Sequence, residues 1–168
     1  ESDSSLIEYL VIDTDSISLN EGDLTRNEIV DIGFNNGKGI VDNNPLIKRW
    51  VPKKAEEMIL NHGFEADAGS GQIRGIGRFA LLCNYNSIKN LIKAKIQNLN
   101  DYQNIQLGDL QEIEVIICFS ICGGTGSGIF LDVANIAKEN LNANGLINAN
   151  ILMPSIYDDK IKNRLGKM

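Results

Sequence analysis

Four glycines fall within six positions at Gly123, Gly124, Gly126 and Gly128, with Thr125 and Ser127 between them. Residues of these types at this density suit one kind of chemistry. Glycine carries no Cβ, so backbone N–H groups stand open to a bound group. Val115, Ile116, Ile117 and Cys118 precede the run, and a helix-compatible apolar stretch from Ile129 to Glu139 follows it. The loop therefore hands an apolar strand over to a helix. The helix N-terminus adds roughly half a positive charge and several unpaired donors. Together these make a phosphate cradle, to which Thr125 and Ser127 add hydroxyl donors. Gly126→Val is the substitution expected to close it. The same glycines also suit a tight helix start that binds nothing, although ordering so flexible a run costs entropy.

The spacing excludes two familiar cradles. A Walker loop needs Lys followed by Ser or Thr after its last glycine, and Gly128 is followed by Ile129 and Phe130. The dinucleotide fingerprint fails as well, because counting on from Gly124 and Gly126 lands on Ile129, which makes a nicotinamide-dependent dehydrogenase improbable.

Three further segments offer chemistry to the same ligand. Asp13, Thr14 and Asp15 follow a short apolar run. Their carboxylates repel phosphate unless magnesium or a sugar hydroxyl lies between, and they also suit plain helix capping. Gly69, Ser70 and Gly71 present N–H groups to a terminal phosphate. Arg74 and Arg78, four apart, share one face of the helix that follows. Arg78 either stabilises phosphate charge or bridges to a carboxylate and holds that helix. After Pro154, Asp158 accepts hydrogen bonds from ribose hydroxyls, with Asp159 as its rival.

The elements that must position these loops alternate between strand and helix. Strands are expected over residues 8–13, 28–33, 113–119 and 147–153, and helices over 46–61 (interrupted by Pro52), 73–83, 87–98 and from the glycine loop to about 141. Residues 34–44 and 63–71 read as loops, and 100–111 as a polar linker. The pattern implies an α/β fold, a Rossmann-like parallel sheet covered by helices on both faces. In such sheets ligands lie beyond the carboxyl ends of the strands, where all four loops belong.

With 168 residues, 43% apolar and 23% charged, the chain is one domain's worth of ordinary globular sequence. A net charge of −6 with no basic stripe argues against nucleic acid as the ligand. Lys48, Arg49, Lys53 and Lys54 form a short basic cluster that reads as a solvated face. Cys83, Cys118 and Cys122 lack metal-ligand spacing, the single His62 has no partner for one, and Cys118 reads as a buried strand thiol. No direct protein ligand for a metal is expected. A reducing cytoplasm fits, since no apolar run nears the ~18 residues of a membrane span and no signal peptide is evident. The polar residues 1–5, followed almost at once by a strand, read as the start of a piece cut from a longer protein.

The run Gly123 to Gly128, read Gly-Gly-Thr-Gly-Ser-Gly, resembles the signature of the tubulin and FtsZ family of GTP-binding proteins. The likeness is closest to the large bacterial "tubulin-like" proteins. It rests also on Asp13-Thr14-Asp15, on Lys48-Arg49-Trp50, on Arg74 with Gly77-Arg78, and on Asp132 four residues past Gly128. It covers essentially all 168 residues. The resemblance implies a partial nucleotide-binding domain over residues 1–168. It implies GTP or GDP with Mg²⁺ as ligands, the glycine loop on the phosphates, and hydrolysis completed by a neighbouring subunit on head-to-tail assembly. It also implies a first strand, preceding Glu1, that lies between the strand at Glu8 and the one at Ile113. In the family the base-reading helix and the acidic loop that activates water lie beyond Met168. The 168 residues alone are therefore expected to bind nucleotide without turning it over. The alternative is a tubulin-fold scaffold that does not hydrolyse nucleotide.

Overall fold

The computed structural model describes residues 7–20, 23–62, 66, 69–106 and 112–156. Within them, β1 (Val11–Asp13) lies parallel to β2 (Ile29–Asp31), with Val11 opposite Ile29. A longer parallel pair joins β3 (Glu114–Ser120) to β4 (Leu146–Leu152), in register from Glu114↔Leu146 to Ser120↔Leu152. Parallel pairs flanked by helices give the α/β architecture that the alternation implies. Two details differ from the sequence reading. Among the described residues the two pairs do not join into one sheet. A groove of about 240 Å³ runs between β1 and β3, with Leu10, Ile12, Val115 and Ile117 among its walls. Nor, among the described residues, is β3 covered on both faces. Val115, Ile117 and Phe119 turn toward the core, whereas Glu114, Ile116 and Cys118 are exposed. A strand buried on one face shows this period of two. Cys118 is thus an exposed thiol, not a buried one, and burial acts instead on Cys83, whose thiol is pushed up to about 11.

Seven helices surround the strands among the described residues: α1 (Ser16–Leu19), α2 (Gly37–Asn43), α3 (Pro45–Trp50), α4 (Lys53–His62), α5 (Arg74–Cys83), α6 (Tyr85–Gln106) and α7 (Thr125–Asn140). The expected loop over 34–44 contains α2. Its glycines and asparagines give little intrinsic helix propensity. The Asn36 side chain accepts from the Gly39 N–H at 3.2 Å, and Val41 is buried, so capping and packing make the helix. Pro45 opens α3 behind the Asn44 cap, and Val51 and Pro52 separate α3 from α4. α6 continues through residues 100–106, which read as the start of a polar linker, and Ile88, Ile92 and Ile96 anchor its earlier turns by placing a buried residue on one face at each.

α5 is the centre of the core. Ile76, Phe79, Ala80 and Leu81 are all fully buried on it, and Phe79 meets Phe34 edge to face at 4.7 Å between ring centres. The far end of β1 is tied to α6 by the Glu8 carboxylate. It accepts from Lys95 Nζ at 2.7 Å and Asn98 Nδ2 at 3.2 Å, and both partners of the ion pair are largely shielded. The Lys95 hydrogen bond holds the Glu8 carboxyl below its ordinary value of 4.5. A depressed folded pKa contributes stability above pH ~4.5, lost as pH falls through the folded value. Glu8→Gln is therefore expected to cost about 1 kcal/mol at pH 7. The difference from the parent should shrink as pH falls through that range. Urea unfolding at stepped pH measures it, and a pH-independent difference would assign the loss to packing instead.

Candidate functional site

Three of the four loops singled out in the sequence converge at the carboxyl ends of β1 and β3. Local rules bring each there. β1 ends at Asp13, whose carboxylate accepts from the Thr14 N–H at 2.6 Å and turns the chain. Asp15 then caps α1, accepting from Ile17 N and Ser18 N, and from the Ser18 hydroxyl at 2.7 Å. Those bonds, led by the Ser18 hydroxyl, hold the Asp15 carboxyl below its ordinary value. Asp15 is thus a helix cap, one of its two sequence readings. The second loop reverses at Gly69 and Gly71, with φ of 98° and 58°, in the left-handed region that favours glycine. Gln72 follows at φ 63°.

The loops are joined through buried hydroxyls. Thr14 Oγ1 lies 2.8 Å from Thr125 Oγ1, and Ser70 Oγ lies 3.1 Å from the same atom. Thr14, Ser70 and Thr125 are the buried polar residues of the described chain. A hydroxyl can donate once and accept twice, so Thr125 is able to serve both neighbours. The sequence offered Ser70 and Thr125 as phosphate donors, but their side chains are turned inward to fasten one loop to another. It missed Thr14 as the third member. A threonine between two aspartates carries no local sign that its hydroxyl points into the core. Thr125→Val is expected to cost about 2 kcal/mol, because two buried hydroxyls lose a partner. Thr125→Ser should recover most of it. Chemical denaturation of both variants tests this, and equal stability of valine and parent would refute the cluster's role.

Both arginines are also engaged. Arg74 donates from Nη2 to the Ile121 carbonyl at 3.2 Å, on the near side of the glycine loop. Arg78 Nε lies 3.2 Å from Asp132 Oδ2 on α7, although its N–H is not aimed along that line. Of the two roles open to Arg78, the carboxylate bridge is the one present. Ser127 donates to the Gly123 carbonyl one turn back.

The four loop glycines divide by what surrounds them. A Cβ on Gly124 would fall 2.3 Å from Ser70 Oγ, and one on Gly128 would fall 2.3 Å from the Arg74 carbonyl. A Cβ on Gly126 would meet Phe119 Cβ at 2.9 Å. These three glycines permit close packing. Gly123 has no heavy atom within 4 Å of its Cβ position. Beside it α7 begins with no side-chain cap, and its first helical bond runs from Gly128 N to Gly124 O. The N–H groups of Thr125, Gly126 and Ser127 therefore have no helical carbonyl to meet. Open space over an uncapped helix N-terminus fits an anion. The start of α5 adjoins it, since Ile73 N lies 2.6 Å from the Gly124 Cβ position.

The fourth loop is described only to Ile156, so Asp158 and Asp159 lie outside the described residues. Its near end does reach the cradle: Ile121 N donates to Leu152 O at 3.3 Å, and Pro154–Ile156 forms a single 3₁₀ turn. No described helix is long and apolar enough to cross a membrane. A family model described as tubulin like matches residues 3–166. No curated protein and no solved structure gave a match.

Proposed function

The chain belongs to the tubulin-like family, and on that premise we propose that it is a GTP-binding segment whose nucleotide phosphates lie over the N-terminus of α7. The observation that carries the reading is the open position at Gly123 beside a helix start without a side-chain cap. Phosphate oxygens there accept from backbone N–H groups of residues 123–127, and Gly69 to Gly71 close over them from the side. Mg²⁺ is proposed to accompany the nucleotide, with Asp13 as the proposed contact to its water shell. Asp158 is the proposed ribose contact. Arg74 and Arg78 act by holding the loop and α7 in place rather than by touching phosphate.

The groove between β1 and β3 supports the domain reading. β1 and β3 flank this groove, and the loops that follow them meet through Thr14 and Thr125, so the gap is one that a further parallel strand would suit. Hydrolysis in the assembled protein is proposed to be completed across a head-to-tail contact, which generates filaments because the two faces differ.

Titration of a fluorescent GTP analogue with Mg²⁺, displaced by GTP, GDP or ATP, tests the binding. Saturable binding displaced by GTP and GDP is expected, with negligible phosphate release by the 168-residue chain alone. No binding at about 1 mM nucleotide, a level that corresponds to only about −4 kcal/mol, would overturn the reading.

A further inference from the structure

α3 is apolar on two sides at once. Val51, just past its end, is buried, and Ile47 packs against the core. Yet Leu46 and Trp50, one turn apart, are 71% and 58% exposed. They line one wall of a cleft of about 420 Å³, whose other wall is the α5–α6 corner at Leu82, Cys83 and Tyr85. The core does not need that second apolar side.

Exposed basic residues lie next to Leu46 and Trp50 along the chain, at the rim of the cleft rather than in its lining. Lys48 and Arg49 stand in the last turn of α3, and Lys53 and Lys54 open α4, where positive charge opposes the helix dipole. Among the described residues only Lys48 of these four has an ion-pair partner, Glu56 at 3.8 Å. This concentration of unpaired positive charge sits on a chain of net charge −6. Trp50 and Tyr85 both line the depression, and Trp and Tyr are among the residue types that dominate binding energy at protein interfaces.

We infer that this cleft is a docking site for an acidic peptide segment of a partner protein, which inserts an apolar anchor between Trp50 and Tyr85 and sets carboxylates against Arg49, Lys53 and Lys54. A concave site fits an inserted side chain better than it fits a lipid surface, which calls for a protruding apolar edge. The cleft adjoins the carboxyl end of α5, and the cradle adjoins the other. Ten helical residues, about 15 Å, separate them, so a docked peptide does not touch the nucleotide.

Panning a random dodecapeptide phage library on the folded 168-residue chain tests this, with Leu46→Asp as the counter-selecting variant. Its site is exposed, and circular dichroism checks its fold. Enriched peptides should carry Leu, Phe or Met flanked by Asp or Glu. They should shift the emission of Trp50, the chain's single tryptophan, to the blue. Binding should weaken with salt and fall by at least about tenfold in Arg49→Glu. Peptides without carboxylates, equal retention by Leu46→Asp, or no enrichment would overturn the inference. So would binding of phosphatidylglycerol vesicles in place of peptide, which assigns the patch to a membrane. Self-association that Leu46→Asp abolishes would assign it to a second copy and overturn it too.

Discussion

Alanine at Gly77 is expected to lower the unfolding free energy by about 3 kcal/mol, against the ordinary preference of helices for alanine over glycine. In an exposed helix the same change stabilises by about 1 kcal/mol. At Gly77 the added Cβ would stand 2.4 Å from the Gly124 carbonyl oxygen and 2.8 Å from Thr125 Cα. Both are backbone atoms, so no side-chain rotation relieves the contact. α5 must move away from α7, and overpacking of this kind typically costs about 1–3 kcal/mol or more. The steric term therefore outweighs the propensity term. Gly128→Ala should behave alike, since its Cβ would meet Arg74 O at 2.3 Å and Arg78 N at 3.1 Å from the opposite helix. Because the two substitutions strain one contact, their combined loss should fall short of the sum. Urea unfolding of the two single variants and the double variant measures this. A Gly77→Ala protein more stable than its parent would show that the helices do not pack this closely.

Valine at Gly123 should do the reverse: leave the fold alone and abolish nucleotide binding. No heavy atom lies within 4 Å of the new Cβ, and the backbone there is outside the left-handed region, so stability should stay within about 0.5 kcal/mol of the parent. The side chain would occupy part of the open space beside the start of α7, where the proposed phosphate lies. A loss of GTP affinity of at least about tenfold, roughly 1.4 kcal/mol, is expected. Gly126→Val, the substitution the sequence suggests, is a poorer probe. Its Cβ would press on Phe119 at the end of β3, so lost binding would be confounded with a displaced strand. Unchanged affinity in a folded Gly123→Val protein would move the ligand away from this helix.

Much of the fold was legible because its signals are local. An apolar run, a glycine loop and a 3.6-residue period define β3, the loop and α7 from residues within about 30 positions of each other. Pro52 marked the α3–α4 break for the same reason. α2 escaped because its own residues favour a loop, and only Asn36 and the buried Val41 hold it helical. Sequence period also gave no sign that β3 would leave Ile116 and Cys118 uncovered. A continuous apolar run looks the same whether one face or both meet a helix.

By itself the sequence determined the family, the parallel α/β elements and three of the loops that meet at one end of the strands. Which atom in those loops does what was decided only in three dimensions. Thr14 and Thr125 are 111 positions apart, Ser70 and Thr125 are 55, and Arg78 and Asp132 are 54. No local pattern encodes such pairs. The Ser70 and Arg78 pairs follow from how closely α5 and the turn before it lie on α7, an approach that Gly77, Gly124 and Gly128 permit. The same approach uses up most of the glycine loop in packing and leaves Gly123 as the opening beside the bare end of α7.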